Sequence, residues 1–328
     1  MQKPRAVFGE TLGAPETYRL IEHDPGQPGA GQVRYAIRAA GISYVDVLVA
    51  AGKYQLQPKT PFIPGSECAG VIESVGAGVT QFKPGDRIIA GTFGKTFCEA
   101  AVAPVNDVIH CPDRLSFEEA ATFKVNYLTA YYALVQRGRV QAGETVLVLG
   151  AAGGVGYAAI QIAKALGANV IASASSEMKR QVCLQGGADI AIDARSPSWR
   201  DDLKAANNGK GVDVVVDPVG GDSTEPAFRS LAWNGRHLVI GFVGGGIPKL
   251  PTNLALLKGA SLIGVDIRQF GIFEPELAAK NVDALFALQA AHNLRPYIGK
   301  SFPIEEYVDA MNLAASGECV GRVVLRMG

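Results

Sequence analysis

Cysteine is scarce and unpatterned in this 328-residue chain: Cys68, Cys98, Cys111, Cys183 and Cys319 are odd in number, scattered and never spaced C-x-x-C. That argues against a disulfide framework and for free thiols in a reducing compartment, so a cytoplasmic protein is expected. Histidine is equally sparse; His23, His110, His237 and His292 share no common spacing, which points to structural roles rather than metal ligation. Neither sign of charge is in excess. With 31 Lys+Arg against 31 Asp+Glu the net charge is +0, leaving no electrostatic footprint for nucleic acid. No apolar run reaches the ~18 residues of a membrane span, and Met1-Gln-Lys-Pro-Arg5 lacks a signal-peptide core. Internal repeats and low-complexity segments are also missing. What remains is globular, 48% hydrophobic and 19% charged, and long enough for two domains.

The most informative segment present is Gly150-Ala-Ala-Gly-Gly-Val-Gly156. Before it, Glu144-Thr-Val-Leu-Val-Leu149 is a short continuous apolar run of the kind buried in parallel sheets. After it, Tyr157 to Leu166 carries one charge, Lys164, and stops at Gly167. Strand, glycine turn and helix bring backbone N–H groups and a helix N-terminus to one point, which suits a pyrophosphate. Gly153, Gly154 and Val155 are the residues expected to face it. The spacing G-x-x-G-x-x-G departs from the commoner G-x-G-x-x-G, so the signal rests on the intact flanks.

The next strand, Ala168-Asn-Val-Ile-Ala172, leads toward the adenosine ribose. NAD-binding folds place an acid about 20 residues beyond the glycine turn to accept from the ribose hydroxyls. Here the zone reads Ser173-Ala-Ser-Ser-Glu-Met-Lys-Arg180, with Ala174 at the acid's position. Ser175, Lys179 and Arg180 suit a 2′-phosphate, and the cofactor is expected to be NADPH. The same residues also read as a helix N-cap followed by a solvated face, and both readings are compatible.

Up to about residue 120 the pattern is strand-like and rich in Gly and Pro. Gln32–Arg38 alternates, Gly70–Gly76 is bounded by glycines, and Lys83-Pro-Gly-Asp-Arg87 is turn chemistry before Ile88-Ile-Ala90. Ser116-Phe-Glu-Glu119 is a capping box opening a helix. Thereafter strands are expected at 145–149, 169–173, 189–192, 212–217, 236–241 and 261–265. Helices are expected near 155–166, 177–186, 199–206, 223–231 and 275–292, an alternation that means a doubly wound parallel sheet. The tail reads as a helix and then the strand Gly321–Leu325, returning to the first domain.

Six segments in order resemble one known family. They are Pro64-Gly-Ser-Glu-Cys-Ala-Gly-Val-Ile-Glu-Ser-Val-Gly76, Phe82-Lys-Pro-Gly-Asp-Arg87, Tyr127-Leu-Thr-Ala-Tyr131, the glycine turn, Asp213-Val-Val-Val-Asp-Pro-Val-Gly-Gly221 and Gly321-Arg-Val-Val-Leu325. Over nearly its whole length the chain resembles the medium-chain dehydrogenase/reductase superfamily, and within it the zinc-free NADPH:quinone oxidoreductase (zeta-crystallin-like) group. The resemblance implies an α/β protein: a GroES-like β-barrel catalytic domain at 1–120, completed by 300–328, and a Rossmann NADPH-binding domain at 121–299. It also implies an active site in the interdomain cleft.

Zinc alcohol dehydrogenases of that superfamily use Cys, His and a second Cys or acid. Matched by position, these fall at Ser43, Ser66 and near Val125, which lack the thiolate, imidazole or carboxylate that zinc requires, so no metal is expected. The chemistry implied is hydride transfer from NADPH to a quinone, or alternatively to the C=C bond of an enone or acryloyl-CoA. An NADPH-binding protein without turnover is the reading from another class.

By the same resemblance, Thr129, Tyr131 and the backbones of Gly241-Phe242-Val243 and Val265-Asp266-Ile267 contact the cofactor, with Arg322 beside it. Asp46 and Tyr54 belong to the substrate-side wall, the Tyr54 phenol being placed to orient or protonate the acceptor oxygen. Tyr44, Asn126 and Tyr127 are further pocket residues. Lys124 and Asn126 stand where relatives are more often apolar and small, adding a charge that favours an anionic substrate. Ala194 stands where an aromatic often meets the adenine. The apolar strand Ala260–Val265 would leave an exposed edge, and relatives pair such edges, so a homodimer acting on a small-molecule acceptor is expected.

Overall fold

The structure, a computed structural model, describes residues 3–91 and 93–328. It divides into two units, residues 1–125 with 296–328 and residues 126–295.

The first unit is mainly β-structure, with β1 (Arg5–Phe8), β2 (Arg19–Glu22), β3 (Gln32–Ile42), β4 (Glu67–Val75), β5 (Arg87–Gly91), β6 (Ala100–Pro104) and β7 (Val108–His110). β1 and β2 form an antiparallel ribbon. β3 is long enough to pair β4 on one edge and β6 on the other. Its alternation sends Val33, Tyr35 and Ile37 into the core beside Ile72, Ile88 and Phe97. Burial of each such side chain contributes roughly 1.5–3 kcal/mol.

The helix Tyr44–Ala50 follows β3. The sequence reading missed it, because Val45, Val47 and Val49 alternate as a strand would. A capping box overrides that signal: the Ser43 side chain accepts from the Asp46 amide, and the Asp46 side chain accepts from the Ser43 amide. The Ser116 capping box opens Phe117–Ala120 in the same way.

In the second unit β8 (Thr145–Val148), β9 (Asn169–Ala174), β10 (Ile190–Asp193), β11 (Val212–Asp217), β12 (Leu231–Val239) and β13 (Ser261–Gly264) form one sheet. The order is β10-β9-β8-β11-β12-β13, and every pairing is parallel. Continuous apolar runs make this possible: Val146, Leu147 and Val148 have no solvent exposure, as in a sheet covered on both faces. The helices include Gly154–Ala165, Glu177–Gln185, Trp199–Ala206, Thr224–Arg229 and Pro275–His292, close to their expected places. Two short ones, Asn253–Lys258 and Ile267–Phe273, were not anticipated.

One strand starts earlier than the sequence suggests. β12 opens at Leu231, because the strand runs through Asn234, in the left-handed region at φ 61°, and Gly235. Asn and Gly favour turns, yet here both sit inside the strand.

The chain then returns to the first unit with β14 (Ile298–Pro303), the helix Tyr307–Ser316 and β15 (Arg322–Arg326). β15 pairs antiparallel with β3, bringing Val323 and Leu325 into its core.

Candidate functional site

In the second unit the strand order reverses between β8 and β11, and ligands of doubly wound sheets bind beyond the carboxyl ends at such a point. The glycine turn leaves β8 there. Gly150 takes φ 55°, and Gly153 caps the twelve-residue helix Gly154–Ala165 with no side chain bonded to its amino end. That end carries partial positive charge and unsatisfied N–H groups. A Cβ on Gly156 would stand 2.5 Å from the Gly150 carbonyl oxygen and 2.8 Å from the Ala151 Cα. A Cβ on Gly150 would lie 2.9 Å from Val219, so the turn after β11 packs against it. The cradle fits a pyrophosphate: backbone donors are grouped, and side chains are excluded by contact.

The turn after β11 is held by Asp217. Its buried carboxylate accepts from the Val219 amide at 2.9 Å, the Gly220 amide at 2.8 Å, the Thr224 hydroxyl at 2.8 Å and, at 2.9 Å, pairs with His237 Nε2. Burial pushes this carboxyl up, but the bonds from His237, Gly220 and Thr224 outweigh it and hold it below the ordinary range. Sequence reading assigned His237 only a structural role and did not see this pair, which joins β11 to β12 across the sheet. Beyond β12, Gly241 and Val243 donate weakly at 3.4 Å to Asp217 and Pro218 carbonyls, and Phe242 and Val243 are exposed. Beyond β13, the Val265 amide is taken by the Val239 carbonyl at 2.9 Å. Asp266 caps the helix Ile267–Phe273, accepting from the Arg268 and Gln269 amides at 3.0 Å.

At the end of β9 the methyl of Ala174 is buried, and Ser176 caps the following helix, accepting from the Lys179 amide at 3.3 Å. Ser175 and Lys179 are half-buried beside it. Arg180 is engaged inside the unit. Its guanidinium pairs with Glu177 at 2.8 Å and Asp193 at 3.2 Å, so two carboxylates offset the charge expected for a 2′-phosphate. Thr129 is buried and Tyr131 half-buried on the helix Lys124–Tyr131, which continues as a π-turn through Arg137. Tyr127, expected at the substrate pocket, is 1% exposed and donates its hydroxyl to Gln161 Oε1 at 2.8 Å. Asn126 beside it is also buried.

The first unit holds a separate polar cluster. Asp46 is 4% exposed, and its Oδ2 accepts from the Ser43 amide at 2.7 Å and the Ser43 hydroxyl at 2.6 Å. Burial raises its carboxyl, opposed by hydrogen bonds from Ser43 and Ser66 and by the charge of Arg322. Glu67 is equally buried and accepts from the Val125 amide at 2.9 Å; burial pushes its carboxyl up to about 7. The sequence reading quoted Glu67 within a motif without assigning it a role, although an acid inside an apolar strand is itself a signal. Arg322 sits on β15 with Nε shielded from solvent and unpartnered. Burial lowers its pKa, and Glu67 and Asp46 oppose that, so its charge balances carboxylates within this unit. Tyr54 packs on the core edge, and its hydroxyl has no hydrogen bond among the described residues. Tyr44 is half-buried at the first position of the helix Tyr44–Ala50.

A family model described as the alcohol dehydrogenase GroES-like domain matches residues 29–131, and one described as zinc-binding dehydrogenase matches residues 154–281. The quinone oxidoreductase-like protein 2 homolog of Nematostella vectensis is 34% identical, over 98% of this chain and 88% of that protein. Human quinone oxidoreductase is 32% identical, over 98% and 97% respectively. The chain belongs to the medium-chain dehydrogenase/reductase superfamily. Membership makes it an oxidoreductase of the kind that works with a nicotinamide cofactor. Among solved structures, the CurK enoyl reductase superposes with a TM-score of 0.89 at 27% identity, covering 99% of this chain and 100% of its own. Mycobacterial Rv1454c, complexed with NADPH, superposes at 0.88 with 28% identity and the same coverage.

The superfamily's zinc site does not fit these residues. Ser43 and Ser66 hydrogen-bond to Asp46, and Val125 offers an isopropyl group. Among the described residues no three His, Cys, Asp or Glu side chains are grouped to hold a metal. Nor is any helix among them long and apolar enough to cross a membrane.

Proposed function

We propose that this protein is an NADPH-dependent reductase that delivers hydride to a quinone without a metal. One observation carries the reading: the bare amino end of the helix Gly154–Ala165 at the strand-order reversal, followed by a β9 that ends in Ala174-Ser175-Ser176 rather than an acid. When bound, the reduced nicotinamide supplies the hydride. Gly153, Gly154 and Val155 hold the pyrophosphate on backbone N–H groups. Ser175 and Lys179 meet the 2′-phosphate, with Arg180 a lesser contributor because of its two carboxylates. Thr129, Tyr131 and the strand-end backbones at 241–243 and 265–267 steady the nicotinamide. In the first unit Tyr54, with Tyr44, orients the acceptor, while Asp46 and Arg322 hold the polar cluster in shape.

A homodimer formed through β13 completes the reading. β13 is the edge strand, and Leu262 on it, with Trp233, Leu256 and Leu257, is exposed. Among the cysteines, Cys68, Cys98, Cys111 and Cys183 are buried and all five are free, which suits the cytoplasm. A second reading, saturation of an activated C=C bond, is supported by the likeness to the CurK enoyl reductase.

Initial rates with NADPH and with NADH against a 1,4-naphthoquinone, an enone and acryloyl-CoA test both. Fastest oxidation of NADPH by the quinone supports the first reading, and a preference for the enone or the thioester supports the second. NADPH binding without turnover across the panel would leave a binding protein. Calorimetry showing that neither reduced nucleotide binds would sink all three.

A further inference from the structure

Within the second unit, apart from the glycine turn, lies a cleft of about 290 Å³ lined by three arginines, Arg137, Arg139 and Arg236. Arg236 on β12 stands in register with Ser261, the first residue of β13, and both line the cleft. The segment 136–139 closes another side. A Cβ on Gly138 would stand 3.0 Å from Leu238 Cδ1, and Arg137 Nε donates to the Gly264 carbonyl at 3.0 Å, so this segment is fixed across β12 and β13. Arg139 is held at φ 48°, a conformation that residues other than glycine adopt uncommonly. Its side chain has no hydrogen bond or ion pair among the described residues. Arg236 is short of acceptors: one terminal nitrogen meets Glu144 at 2.6 Å, but Nε is shielded from water and unpartnered. A shielded N–H without an acceptor is costly. Carbonyls at the carboxyl end of the turn Tyr132–Arg137 would oppose an anion here. Two of them are already taken, because the Gly138 and Val140 amides donate to Ala133 and Leu134 at 2.7 and 3.0 Å.

We propose that this cleft is a binding site for a small phosphate monoester, separate from the cofactor cradle and independent of the hydride-transfer reading. Guanidinium groups are permanently charged. Three of them, offset by the one carboxylate of Glu144, leave two positive charges at the cleft. A phosphate monoester carries about −1.5 to −2 at neutral pH, which matches that charge. Planar guanidinium forks present paired N–H donors at the spacing of phosphate oxygens, and the Ser261 hydroxyl adds a further donor at the cleft wall. Size narrows the class. Small-molecule pockets start at roughly 300 Å³, so the cleft suits a compact ester more than a dinucleotide, and has room beyond a bare phosphate. The bound ester would tie the segment 136–139 to β12 and β13, and a ligand that binds only the folded state raises its stability.

Glycerol 3-phosphate, titrated calorimetrically into the full chain with and without NADPH, tests the site, with succinate and inorganic phosphate as comparison ligands. The ester should bind with a Kd of about 1 mM or tighter, equally in both conditions, and better than either comparison ligand. Arg139→Gly removes one guanidinium where the backbone already suits glycine, so the Tm of the free protein should hold. Its Kd for the ester should weaken about tenfold to a hundredfold. Arg137→Gln, at the other end of the same segment, should weaken it similarly and serves if the first variant does not fold. No heat from the ester, or a Kd in both variants within about twofold of wild type, overturns the site. Succinate or inorganic phosphate binding as tightly as the ester overturns the choice of ligand class. Heat that NADPH abolishes puts the ester in the cofactor cradle and overturns the cleft.

Discussion

Gly156→Ala sets two effects of opposite sign against each other. Alanine inside a helix is favoured over glycine by about 1 kcal/mol. Against that, the new Cβ would meet the Gly150 carbonyl oxygen at 2.5 Å, the Ala151 Cα at 2.8 Å and the Ala151 carbonyl carbon at 3.0 Å, all backbone atoms. None is the far end of a side chain that can swing away, so either the helix start or the glycine turn must move. Overpacking of this kind costs typically 1–3 kcal/mol, which exceeds or cancels the propensity gain. The net expectation is a second unit destabilised by up to about 2 kcal/mol, seen as a Tm lower by up to roughly 8 °C for a unit of this size.

Binding should suffer more than stability. Displacing the turn misaligns N–H groups worth roughly 1.5–3 kcal/mol each to a charged acceptor, so NADPH affinity should fall about 10- to 100-fold. Gly153→Ala is the internal comparison: its Cβ meets only the Gly150 oxygen, at 3.3 Å, and a smaller loss is expected. Calorimetric titration and thermal unfolding of both variants provide the assay. A Gly156→Ala protein with unchanged Tm and NADPH affinity within twofold of wild type would refute the close-packed cradle.

Three further outcomes follow from the same structure. Glu67, raised by burial to about 7, favours the folded first unit while protonated. Stability should therefore decline as pH rises from ~4.5 toward 7, by about 3 kcal/mol in all, and Glu67→Gln should flatten that window in denaturant titrations. Asp217 has the opposite sign: its lowered carboxyl stabilises above the unfolded value and loses that contribution as acid protonates it below ~4. Asp217→Ala should also cost more than 3 kcal/mol by leaving buried donors unpaired, with Tm unmoved being the contrary result. Leu262→Glu, at the exposed edge β13, should convert a dimer to a monomer by light scattering at micromolar concentration; a dimeric variant would remove β13 from the interface.

The composition and period of the chain determined more of the second unit than of the first. Apolar runs bounded by glycine at 145–148 and 212–217 can only be central parallel strands, and the glycine turn declares its own conformation because no Cβ fits at Gly150 or Gly156. Local chemistry of that kind is written in adjacent residues. The helix Tyr44–Ala50 was hidden because its valines alternate like a strand, and only the reciprocal Ser43–Asp46 cap decides it. The pairing of Arg180 with Asp193, the burial of Tyr127 against Gln161 and the meeting of Asp46, Glu67 and Arg322 were likewise beyond sequence reading. Their partners come from separate strands and helices, up to hundreds of residues apart. Which charges are offset, and by which carboxylates, is a property of that packing: the cost of desolvating a charge depends on neighbours that only the folded chain assembles.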